Sequence, residues 1–216
     1  MCRHARLRPC RPRSSSQRRG SPTHHTRLTA DCILPGRVCL PVGLVLSFQR
    51  YVRPASDLVE ELPASLGALP AGLGAMGGLI VPLAAGEALW IGLGLALPAR
   101  GLSLQLGVEL GTGDMCDAIA GQPWRADTAA YIDVPATPRV AGFRRTDGRT
   151  GAFARPGADG CGCVRLALRV AAGNISAETP ELSVHLVDYD SFSAQSGLAA
   201  PAPLDMQAGY QGWRLP

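Results

Sequence analysis

The chain has 216 residues, 46% of them hydrophobic and only 18% charged, a balance that provides for a packed core and excludes a wholly disordered protein. Its net charge of +4 averages two unlike parts: residues 1–53 carry 11 Arg against one acid, Asp31, and residues 54–216 carry 10 Arg against 16 acids. Lysine is absent, Asn174 is the single asparagine, and Gly and Pro fill 26 and 18 positions. That usage is expected of a GC-rich gene, so the arginines do not argue for a specific nucleic-acid partner.

Residues 1–60 read as a disordered basic tail. Over 1–30 almost nothing apolar recurs at a helical or strand period, so burial cannot offset the entropy of ordering. Three accounts fit this segment: an organelle transit peptide, a polybasic arm for nucleic acid or an anionic membrane, or translated DNA upstream of a later start. Val38–Phe48 (VCLPVGLVLSF) has the length of a signal-peptide apolar region. Export is therefore the alternative to a cytoplasmic setting.

Residues 61–75 read as a Gly/Pro-rich linker. Glu87 is the only charged residue from Leu62 to Ala99, but the glycines and prolines of Leu66–Ala84 disfavour a helix, and no transmembrane span is expected. A β-domain is expected over 76–188. In Glu87–Leu97 (EALWIGLGLAL), Leu89, Ile91, Leu93, Leu95 and Leu97 share one face, and Trp90 sits among Ala and Gly on the other, which marks a central strand covered on both sides. Strict alternation follows in Ser103–Leu110, where Leu104, Leu106, Val108 and Leu110 point one way. Tyr131–Val134 is a short strand ended by Pro135. Asp147-Gly148, within Arg139–Ala154, offers the residues of a two-residue type I′ hairpin.

Alternation returns in Cys163–Val170, with Val164, Leu166, Leu168 and Val170 inward and Arg165 and Arg169 outward, and again through Leu182, Val184 and Leu186. About seven strands over this span predict an antiparallel β-sandwich or a partly open barrel. Asp190 is placed to cap a short helix over Ser191–Ser196, stopped by Gly197. An extended C-terminus held by Tyr210 and Trp213 completes the 189–216 segment.

Few residues point to chemistry. Of the seven cysteines, Cys161 and Cys163 are spaced to share a strand face with Arg165, where a cation would favour thiolate, and with Cys116 and His185 they are the candidate metal ligands. The spacing fixes no such site, and no cofactor is expected. His185 is the only histidine after residue 53; with Asp188 it is the candidate catalytic pair, against the plainer reading of a half-exposed strand residue. Asp114 and Asp117, like Asp188 and Asp190, are paired acids without the spacing of a Ca²⁺ loop. Arg144, Arg145 and Arg149 ring the hairpin tip, where they could take an anion. Asn174-Ile175-Ser176 is a glycosylation sequon, meaningful only in a secreted eukaryotic chain.

Residues 86–135 carry GEALWIGLGLAL, SLQLGVEL, the step GQPW at Gly121–Trp124 and YIDVP at Tyr131–Pro135. In that order they resemble a group of uncharacterised bacterial β-rich proteins with an EALW strand, a Gly-x-Pro-Trp step and a Tyr-x-Val-x-Pro strand. The resemblance implies a compact bacterial β-domain with no known active site. The expected function is a non-catalytic binding or accessory module whose partner the sequence leaves open, another protein being one option. The alternatives are a small hydrolase or metal- or thiol-dependent enzyme, and an exported envelope protein.

Overall fold

The computed structural model describes residues 28–75, 77–96, 101–125, 127–157, 162–171, 173, 175 and 179–205. Cys161, the sequon residues Asn174 and Ser176, Tyr210 and Trp213 lie outside them, as do residues 1–27. In chain order the strands are β1 (Ile33–Leu34), β2 (Arg37–Cys39), β3 (Leu44–Val52), β4 (Ala68–Leu69), β5 (Gly72–Leu73), β6 (Leu79–Pro82), β7 (Glu87–Leu95), β8 (Leu102–Leu110), β9 (Met115–Asp117), β10 (Ile132–Val134), β11 (Arg139–Val140), β12 (Gly142–Arg144), β13 (Thr150–Ala152), β14 (Cys163–Ala171) and β15 (Glu181–Val187). A short 3₁₀ turn at Ala30–Cys32 precedes them and one helix, α1 (Tyr189–Ser196), follows.

The strands form a sandwich. One sheet runs β1-β2-β3-β7-β11 with β4 also on β3; the other runs β10-β8-β14-β15-β6-β5 with β9 also on β8. Every pairing is antiparallel except β6 with β15, which run parallel from Val184 beside Leu79 to Val187 beside Pro82. Between the sheets lies one core, built from the alternating residues of the long strands: Leu44, Leu46 and Phe48 of β3, Leu89 and Ile91 of β7, Leu104, Leu106 and Val108 of β8, Leu166 and Leu168 of β14, and Val184 of β15. Burial of these aliphatic side chains, at roughly 1.5–3 kcal/mol each, is the main force holding the layers together.

Two expected boundaries move. Residues 33–52, assigned to a disordered tail, form β1, β2 and β3, and β3 pairs with β7 along its whole length, from Leu44 beside Leu95 to Val52 beside Glu87. The physical reason is alternation: Leu44, Leu46 and Phe48 are buried while Val45, Ser47 and Gln49 are half-buried. The apolar run Val38–Phe48 thus covers the end of β2, a turn and the first half of β3, with Val38, Leu40, Leu44, Leu46 and Phe48 in the core. The 61–75 linker likewise contributes β4 and β5 as short edge pairings.

β7 is covered on both faces, as its composition predicted. Beyond the β11 pairing, Leu89 N–H donates to Phe153 O at 2.9 Å in an antiparallel bridge along the same edge, and Ala152 and Ala154 from the chain of the β12–β13 hairpin join Tyr51 and Ala88 in a second, smaller core. The outer face of β8 is also covered. Gln105 is fully buried and its Nε2 donates to Ala129 O at 3.0 Å. Trp124 packs so closely on Gly107 that a Cβ there would lie 2.8 Å from the indole, which restricts the position to glycine.

The hairpin turn differs from the expected type. Arg145 O accepts from Gly148 N–H at 3.0 Å and Arg149 O from Arg145 N–H at 2.9 Å, and only Gly148 of the turn has positive φ. A type I′ turn needs two such residues; here a wider turn closes through one left-handed glycine. The helix cap also shifts, from Asp190 to Asp188, whose Oδ1 accepts from Ser191 N–H at 2.7 Å. Gly197 ends the helix in the left-handed conformation as expected.

Where β7 begins, Glu87 is only 1% exposed. Its Oε1 accepts from Arg50 Nη1 at 3.3 Å, Tyr189 Oη at 3.0 Å and Leu204 N–H at 3.1 Å, and its Oε2 accepts from Ala84 N–H at 3.1 Å. Arg50 Nη1 also donates to Tyr189 Oη at 2.9 Å and Ala202 O at 2.8 Å. One buried carboxylate therefore joins β3, β7, the turn between the sheets, α1 and the segment after it. Removing one partner of a buried ion pair strands the other, so Glu87→Ala is expected to cost about 3–5 kcal/mol, and Tyr189→Phe about 1 kcal/mol. Urea unfolding of the variants measures both; a Glu87→Ala chain as stable as the parent would remove the cluster from the account.

Candidate functional site

The expected catalytic pair is not assembled. Asp188 caps α1 through Oδ1, and its Oδ2 lies 3.4 Å from Arg155 Nη2; its carboxyl is held below the usual range, first by the Ser191 N–H. His185 projects from the other side of the strand end, half-buried opposite Arg165. Burial, reinforced by Arg165, pulls its imidazole below its ordinary value against the opposing charge of Glu109, leaving it neutral at pH 7. It lines a cleft of about 380 Å³ with Arg165, Glu181, Ser183 and apolar residues that include Leu40 and Val42. Arg165 is fully engaged there: Nε donates to Glu109 at 2.6 Å, and Nη1 to Glu181 at 3.1 Å and Ser183 Oγ at 3.0 Å.

The cysteines also depart from expectation. A β-bulge between Cys163 and Arg165 shifts the register of β14 on β8, so the parity argument fails across it and Cys163 lies in the main core instead of beside Arg165 on the wet face. Burial pushes its thiol far up, with the neighbouring Cys116 adding to the effect. Cys116 is half-buried and pushed up to about 11, first by burial and then by Asp117 and Asp114. Both are protonated at neutral pH, the reverse of an activated thiolate. Among the described residues no three of His, Cys, Asp and Glu gather as a metal site.

The acids flagged by spacing divide the same way. Asp117 is buried, with Oδ1 accepting from Ile119 N–H at 2.7 Å and Ala120 N–H at 3.0 Å, and Oδ2 from Ala130 N–H at 2.6 Å. It folds the loop that covers β8. Asp114 accepts from Thr112 Oγ1 at 2.8 Å at the end of the β8–β9 turn.

A second cleft, of about 420 Å³, opens between that turn, the Gly121–Pro123 step, the β12–β13 hairpin and the loop after β3. Leu110, Met115, Cys116, Pro123 and Phe143 supply its apolar wall, and Arg53, Asp57, Asp114, Arg144 and Arg145 its charged groups. Each wall is fixed by backbone. Arg144 N–H donates to Ala118 O at 2.7 Å. Gly121, at φ +69, packs against the carbonyls of Arg144 and Arg145 so tightly that a Cβ would lie 3.1 Å from each. Asp57 adopts φ 58, an uncommon left-handed value for a non-glycine residue. It is held there by Ala152 N–H donating to its carbonyl at 2.9 Å, and by Arg53, which grips its carboxylate with both Nε and Nη2. The Arg53 hydrogen bond holds the Asp57 carboxyl below its ordinary range, with Arg53 and Arg145 charge in support.

Arg144 and Arg145 stand out in the sequence as charges at a hairpin tip, whereas Arg53, Asp57 and Phe143 carry no such signal, because the cleft joins segments around residues 55, 115 and 145 that share no motif. Arg149, the third arginine flagged, turns to Asp147 at 2.8 Å instead.

No protein-family model, curated protein or solved structure matches this chain. No helix of the described residues is long and apolar enough to cross a membrane.

The thiols provide a direct check. Site-resolved alkylation followed by mass spectrometry is expected to leave Cys163 unlabelled until the protein unfolds, and to label Cys116 slowly at pH 7.5 with a rate that climbs towards pH 11. Rapid modification of Cys116 at neutral pH would contradict the site.

Proposed function

We propose that the protein is a non-catalytic binding module whose ligand seats in the cleft between β9, the β12–β13 hairpin and the Arg53–Asp57 loop. The observation that carries this reading is the cleft itself: about 420 Å³, within the roughly 300–1,000 Å³ typical of small-molecule sites, with an apolar wall and a few fixed polar groups. Its ionisable groups are set for holding and not for chemistry. Cys116 is protonated, and Asp57 is an ionised carboxylate already paired with Arg53. The free thiols of Cys32, Cys39, Cys116 and Cys163 suit a reducing compartment, so the reading sets this module in the cytoplasm.

A second reading, a hydrolase working through His185, draws on the placement of that neutral imidazole in the 380 Å³ cleft beside Ser183. It is the weaker of the two. Ser183 Oγ accepts from Arg165 Nη1, and Asp188 is engaged by Ser191 and Arg155.

A library of small fragments, screened by backbone amide shifts, separates the two. The binding reading expects perturbations gathered on residues 112–116, 143–146 and 151. Shifts confined to 181–185, together with ester hydrolysis abolished by His185→Ala, would replace it with the enzyme.

A further inference from the structure

We infer that the ligand of the Arg53–Phe143 cleft is a small organic acid, an anionic head on an apolar or aromatic body. This deepens the binding-module reading and rests on it. Charge on the rim carries the inference. Of its three arginines, Arg53 is neutralised by the two-pronged contact with Asp57. Arg145 reaches Asp147 only at 3.7 Å, beyond hydrogen-bond range, and with both groups substantially exposed. Arg144 is exposed and makes no ion pair among the described residues. Two arginines thus line the cleft without a close carboxylate partner, on a body in which acids outnumber arginines by 16 to 10 after residue 53.

The geometry also orients the ligand. Gly121 pins the backbone of Arg144 and Arg145 from behind, so their stems leave the hairpin at fixed points. A guanidinium so placed suits two oxygens of an anionic head, the planar pair of a carboxylate or two of the three of a sulfonate. Leu110, Met115 and Pro123, together with Phe143 of the hairpin, give the cleft its apolar wall, and Asp114 beside them is turned to Thr112 Oγ1 at 2.8 Å. A head bound at Arg144 and Arg145 therefore places the rest of the molecule against that wall. The carboxylates of Asp57 and Asp114, which also line the cleft, disfavour a second negative charge on the ligand and limit it to a single anionic end.

The two halves of this claim can be measured apart with two fluorescent probes of similar aromatic body. One is the sulfonate 1-anilinonaphthalene-8-sulfonate and the other the uncharged N-phenyl-1-naphthylamine. Both are expected to bind the full-length protein and to shift the amides of residues 143–146. The paired substitution Arg144→Gln with Arg145→Gln is expected to weaken the sulfonate about tenfold or more and leave the uncharged probe within about twofold, while Arg149→Gln, on the same hairpin but paired with Asp147, changes neither. If the uncharged probe binds the cleft but the sulfonate is indifferent to the paired substitution, or is weakened equally by Arg149→Gln, the organic-acid inference falls and the binding site stands. If neither probe moves residues 143–146, both fall.

Discussion

Glu87 is the one charged residue in a long apolar stretch of the sequence, and it is buried at the point where the chain passes from one sheet to the other. β6 belongs to the second sheet and β7 to the first, so the turn at Leu83–Gly86 must hold two layers in register. The carboxylate does this by accepting from that turn at Ala84, from Arg50 on β3, from Tyr189 on α1 and from Leu204 in the segment after it. A buried carboxylate is costly unless its lone pairs are filled, and these donors come from four separate segments. The cluster therefore forms only when all four are in place, which makes it a specificity device for the sandwich as much as a source of stability. Tyr189, pushed up to about 12 by burial and by its hydrogen bond to Glu87, is a neutral donor at neutral pH.

The rest of the molecule follows from that junction. With β3 fixed beside β7, the chain leaving β3 crosses the outer face of the first sheet and pairs with the hairpin, Val59 N–H donating to Thr150 O at 2.9 Å. That crossing places Arg53 and Asp57 opposite Arg145. The site is therefore built on sheet-anchored loops, and its charged groups are positioned by contacts outside the ligand space. The His185 cleft lies across the other sheet, where the ladder Glu109–Arg165–Glu181–Arg169 spends its arginines on glutamates. Similar residue types serve structure on one sheet and are left available at the hairpin.

How much of this was legible in the sequence depends on the length of each element. β7, β8, β14 and β15 span seven to nine residues, long enough for period two to show, and the sandwich follows from them. β3 is as long and alternates as clearly, but it lies in an arginine-rich segment where composition drew attention away from pattern. β4, β5 and β11, at two residues each, exist only through their partners. The β14 bulge illustrates a different limit: a single extra residue reverses parity, and Cys163 moved from the wet face to the core. Arg144 and Arg145 stood out as charges at a turn, whereas Asp57 owes its place to tertiary contacts that no local rule encodes.

β3, with Arg50, is an integral layer of the fold. The most direct test is equilibrium urea unfolding of a chain beginning at Ala55, followed by near-ultraviolet circular dichroism and compared with the full-length protein. Without β1–β3 the first sheet loses its longest pairing and Glu87 loses Arg50, so the shortened chain is expected to show neither native aromatic signal nor a cooperative transition. A cooperative transition with the full-length midpoint would contradict the account.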